Sequence, residues 1–151
     1  MPDPIFDTRT ARFELPLLFA GQAQKEGYVN EMAARIDALL HLAVEAELAV
    51  PPAAPGDGQA WLIAAAASGE WNGKMGQIAA RQAGNWLYFN PRHGMRLFNR
   101  TTGQFIQFTG SWAAPSRPAA PTGGTVIDAE ARAAIAALLS RRTSAGILAA
   151  S

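Results

Sequence analysis

The chain has 151 residues, enough for one domain with arms, and 49% of them are hydrophobic, with alanine a large part of that share. Charged residues make up only 17% and the net charge is +1 with scattered basic residues, which excludes the footprint of a nucleic-acid binder and suits a surface partly covered by a partner. There is no cysteine for a disulfide or thiolate metal site, no apolar run near the ~18 residues of a membrane span, and no secretory pattern in the charged residues 1–12.

Residues 1–13 are polar and broken by Pro2 and Pro4, which predicts an extended arm with Phe6 and Phe13 as anchors for a neighbour, or else a frayed terminus. Pro16 interrupts the short apolar stretch that follows. Asn30 then reads as the N-cap of a helix over 30–42. Met32, Ile36, Leu39 and Leu40 recur at three- and four-residue spacing, so they form the stripe expected to cover the core. Over 42–50 the pattern changes to alternation, which favours a half-exposed strand, with continuation of the helix to Leu48 as the alternative. Pro51, Pro52 and Pro55 with Gly56-Asp57-Gly58 mark a turn.

Residues 60–112 read as β-structure, with strands at 60–65, 77–82, 85–90, 95–100 and 104–109. Ala83-Gly84, Arg92-His93-Gly94 and Thr101-Thr102-Gly103 supply the turns between the later ones. The expected fold class is α+β. A small antiparallel meander or barrel-like sheet is packed with one N-terminal helix, and a C-terminal helix follows a Pro/Gly-rich linker. The core module spans 14–112 and the linker 113–124, where Pro115, Pro118, Pro121 and Gly123-Gly124 cluster. Thr125 or Asp128 caps a helix within 125–142 that carries Ile135, Leu138 and Leu139, and residues 143–151 form a loose tail. A helix of this length is marginal alone, so Ile135, Leu138 and Leu139 are expected to contact the domain or another chain.

No catalytic template fits. His41 and His93 fall on a helix surface and in a turn. The glycines around Glu70 fall one residue short of a phosphate-binding loop, and Met75 stands where magnesium would need a hydroxyl. The reading is therefore not an enzyme, with no cofactor and no metal. Trp71, Trp86 and Trp112 each follow a glycine-containing turn. Trp86, beside Leu87, Tyr88 and Phe89, reads as the first core member; the tryptophans at strand starts read as closing off the small core, with Trp71 and Trp112 stacking on a sugar ring as the alternative.

Leu15-Pro-Leu-Leu18, Gly21-Gln-Ala-Gln-Lys-Glu26 and Val29-Asn-Glu31 resemble the opening signature of an uncharacterised alphaproteobacterial family found in prophage and gene-transfer-agent structural genes. The Gly56-Asp57-Gly58 turn, Trp71 with Gly73, and Gly76-Gln-Ile-Ala79 ahead of Gly84 and Trp86 extend the resemblance over about 15–112. It implies a virion structural protein, similar to a head-spike base that links the capsid to a receptor-binding fibre. Its partners would be capsid and fibre proteins and copies of itself, a pentamer being the ring that matches a capsid vertex. Such a protein is made in the bacterial cytoplasm and released with the particle on lysis. The chain lacks the repetitive shaft of a fibre, which favours a base or adaptor. Gln22, Gln24, Lys25 and Glu26 would set register between copies, or else brace one chain internally. A carbohydrate-binding module touching capsular polysaccharide and a tail-tip or baseplate adaptor are the rival readings.

Overall fold

A computed structural model describes residues 9–21, 25–124 and 128–149. The fold is α+β, and the chain divides into two compact units, Met1–Pro91 and Arg92–Ser151.

In the first unit, α1 (Glu26–Leu39) is followed by β1 (Ala43–Val44), β2 (Glu47–Leu48), β3 (Ala60–Ile63), β4 (Ile78–Gln82) and β5 (Asn85–Phe89). Strands β2-β3-β4-β5 form one open sheet in that order, so no barrel closes on it. The expected all-antiparallel meander is corrected here. β2 pairs parallel with β3, whereas β3–β4 and β4–β5 are antiparallel. All four residues of β3, Ala60-Trp-Leu-Ile63, are buried, as an unbroken apolar run in a central strand requires. The strand expected over 42–50 is broken at Glu45-Ala46 into β1 and β2, and the helical alternative is not found. Ala83 and Gly84 both adopt positive φ, 48° and 74°, which is the two-residue hairpin turn whose twist matches its strands. Asp57 Oδ1 accepts from Gly84 N at 3.1 Å and ties that turn to the proline-rich loop.

In the second unit, β6 (Arg96–Asn99), β7 (Gln104–Phe108) and β8 (Trp112–Ala113) run antiparallel in succession. Asn99 Oδ1 accepts from Thr101 N and Thr102 N and shapes the β6–β7 turn. Residues 114–124 hold no helix or strand. α2 (Ala129–Ser144) is capped by Asp128, whose carboxylate accepts from Ala131 N at 2.8 Å. Thr125, the other candidate cap, lies outside the described residues. The stretch after α2 is not loose. Phe105 N donates to Gly146 O at 2.6 Å, and the buried Gln104 amide donates to Ile147 O and Pro115 O.

Helix α1 departs most from its expected setting. It begins four residues before Asn30, so Asn30 lies inside the helix. Its amide is spent elsewhere: Oδ1 accepts from Leu18 N at 2.7 Å and Nδ2 donates to Leu18 O at 3.0 Å. One and two turns further on, Ala34, Asp37 and Ala38 complete the stripe that α1 buries. Asp37, 1% exposed, accepts from Thr10 Oγ1 (2.7 Å), Phe13 N (2.7 Å) and Arg12 N (3.0 Å). The Arg12 guanidinium in turn donates to the carbonyls of Asp37, Ala38 and His41, which the end of the helix leaves without partners. The N-terminal segment is therefore strapped along α1 at two points. Asp37→Ala strands three donors and is expected to cost about 3–5 kcal/mol, read as a lower urea midpoint. Asp37→Asn, which keeps one acceptor oxygen, should cost less, and equal stability of both with the parent would discount the strap.

Candidate protein-interaction site

Because α1 buries small and polar side chains, its large apolar ones face water. Tyr28 is 83% exposed and Met32 56%, and Ile36 and Leu39 continue the ridge at helical spacing. They line a shallow groove of about 360 Å3 together with Glu31 and Arg35. Met32, Ile36, Leu39 and Leu40 were expected to cover the core; each is exposed instead. The reason lies in Asn30 and Asp37, whose main-chain partners are available only on the side where the N-terminal segment runs. Arg35 anchors the flank of the ridge. It pairs with Glu31 at 2.8 Å, donates to Tyr88 O at 3.4 Å and lies over the Phe89 ring.

The other candidate contact residues fall as follows. Phe13 is exposed, near the His41 ring, with its main-chain N–H held by Asp37. Lys25 precedes α1 and is exposed. Glu26 opens α1 and accepts from Gly21 N at 3.2 Å, a local bond within the chain. Phe6, Gln22 and Gln24 lie outside the described residues. On α2, Ile135 is exposed, Leu138 is 62% exposed and Leu139 is half-buried, and no residue of that helix is buried.

The tryptophans are redistributed. Trp71, a candidate sugar platform, is fully buried and cannot stack on a ligand. The short 3-10 turn Gly69–Trp71 turns it inward, where it packs with Trp61, Ile63 and Ala79. Trp86, read as core, is only half-buried. It stands edge-on to Trp61 and Trp71, Arg81 covers its ring at 5.0 Å, and its Nε1 donates to Glu70 Oε2 at 3.0 Å. Lys74 lies over the neighbouring Tyr88 ring at 4.7 Å, so cations sit on both outer aromatics. Trp112 is half-buried against Phe108. Among the described residues no three His, Asp or Glu side chains converge as a metal site would need, and no helix is long and apolar enough to cross a membrane.

Trp71→Ala is expected to cost about 3–5 kcal/mol, and Trp86→Ala distinctly less, by urea denaturation; the reverse order would restore Trp86 to the core. Burial, and after it the Glu70 carboxylate, raises the Tyr88 phenol above its ordinary value, against an opposing pull from Arg81. The folded chain then keeps a proton that the unfolded chain loses. That contribution is whole below the ordinary tyrosine value of ~10 and is lost as pH rises through the folded one. The urea midpoint should accordingly fall above pH ~10, and Tyr88→Phe should flatten that fall; an unaltered slope in the variant would assign it to other groups.

No curated protein matches the chain. One family profile covers residues 29–113, more than half of the sequence and most of the first unit with its α1 ridge. The chain belongs to that family, described as Protein of unknown function (DUF2793).

Proposed function

We propose that this protein is a non-catalytic adaptor of a phage-like particle, a spike-base part that joins the capsid to a receptor-binding fibre. The observation that carries the reading is the apolar ridge Tyr28–Met32–Ile36–Leu39, left in water while smaller side chains of the same helix are buried. A contiguous exposed apolar face of this kind marks a protein contact. The exposed Ile135 and Leu138 of α2 offer a second face. The particle setting is supported by the resemblance of the Leu15–Leu18, Gly21–Glu26 and Val29–Glu31 motifs to the prophage and gene-transfer-agent family.

The test is sedimentation. An epitope-tagged chain expressed in producing cells is expected to travel with nuclease-resistant particles on a density gradient. The double variant Ile135→Asp, Leu138→Asp should stay at the top while keeping its far-UV spectrum. A parent chain that stays at the top while particles band normally would overturn the adaptor reading.

A further inference from the structure

The near-neutral whole hides two oppositely charged halves. Of the 13 basic and 12 acidic side chains, residues 1–91 hold 6 and 10, while residues 92–151 hold 7 and 2. The first unit therefore carries a net −4 and the second a net +5.

The second unit also holds an open cavity of about 650 Å3, larger than the groove beside α1. Phe105, Pro115 and Ile147 give it apolar walls, and Arg96, Gln107 and Arg142 give it a polar rim. No carboxylate lines it. Neither Arg96 nor Arg142 has an ion pair or side-chain hydrogen bond among the described residues. Arg142 lies in the last turn of α2, where a cation suits the negative end of the helix. That accounts for Arg142 but not for Arg96, which stands on β6. The first unit presents an exposed apolar ridge on α1, with Glu31 and its partner Arg35 beside it. The Glu31–Arg35 pair is about half exposed on both sides, so it is weak and Glu31 can exchange partners at little loss.

We infer that copies of this chain associate head to tail, the α1 ridge of one seated in the second-unit cavity of the next. The occupant is a second copy because the cavity rim carries arginines and no carboxylate, the ridge has Glu31 beside it, and the two units are opposite in net charge. A ridge-to-ridge dimer would bring two units of net −4 together and leave the arginine-lined cavity empty. A head-to-tail contact is heterologous, so each copy keeps one ridge and one cavity to offer, and the series closes where the rotation between neighbours allows a ring. This rests on the adaptor reading for its setting and supplies the contact by which such a base would be built, leaving the α2 face free for a foreign partner.

Two variants and their mixture test it. Met32→Asp, Ile36→Asp removes the ridge, and Arg96→Glu, Arg142→Glu reverses the cavity rim. By light scattering at low salt, the parent is expected to be a discrete multiple of the 16.0 kDa chain and each variant a single chain. Mixed in equal amounts, the variants should form one-to-one dimers, since an intact cavity on the first meets an intact ridge on the second. Raising salt should return the parent toward single chains. Thermal melts of both variants should match the parent; if the ridge variant melts early, Tyr28→Glu replaces it. A single-chain parent at low salt, a cavity variant that stays multimeric, or a mixture that stays single would each overturn the contact. A parent that sediments with particles yet is single in solution overturns the contact and leaves the adaptor reading standing. A multimer that never joins particles supports the contact and overturns the adaptor reading.

Discussion

The Asp37 carboxylate decides which way α1 faces. It is buried, and a buried acidic side chain must find donors. Its donors are main-chain N–H groups of Arg12 and Phe13 and the hydroxyl of Thr10, so the helix turns that side toward the N-terminal segment. Asn30, two turns earlier on the same stripe, adds the second tie through Leu18. Once those bonds are made, Tyr28, Met32, Ile36 and Leu39 have nowhere to go but outward. The exposed apolar face thus follows from how polar groups on the opposite side are satisfied. Apolar side chains ordinarily contribute more by burial than a net hydrogen bond does. Leaving four of them in water while a carboxylate is buried makes sense if another surface covers them in the assembled state.

The two units play distinct parts. The first is built around a central, fully buried strand, β3, and the tryptophans that flank it, with Arg81 and Lys74 laid over the outer aromatic rings. Its outward features are the ridge and an excess of carboxylates. The second is a short antiparallel run with a helix of which no residue is buried, and its outward features are an open cavity and an excess of arginines. Its α2 is a helix by virtue of Asp128 at its start and arginines at its end, which are local effects independent of packing.

Much of this was legible from local pattern. The later strands follow the reading closely, β5 and β7 to within a residue, because turn chemistry at Ala83-Gly84, Gly94 and Gly103 is written into adjacent positions. The existence of α2 was legible for the same reason, with Asp128 one of the two caps that the pattern left open. What could not be read were facts that depend on distant partners. The parallel pairing of β2 with β3 joins segments across the proline-rich loop, and no local feature of Glu47-Leu48 announces it. The orientation of α1 depends on residues 10–18. Periodicity finds an apolar stripe but cannot say whether it faces a core or a partner. The one available signal was Asp37 between Ala34 and Ala38, a polar residue on a small-residue stripe. Which tryptophan is fully interior was not legible for a similar reason: Trp86 sits in the more hydrophobic neighbourhood in sequence, but the 3-10 turn gives the interior to Trp71.

The bond from Arg35 to the Tyr88 carbonyl bears on the open edge of the sheet. β5 is the last strand of an open sheet, and a bare strand edge is a template for pairing with any extended chain. Arg35 occupies an acceptor on that strand and lays its charge over Phe89. A strand arriving there would have to displace a cation that α1 carries and that also lies over the Phe89 ring. The open-ended route, strand added to strand into fibrils, is thereby obstructed by the same helix that carries the exposed ridge.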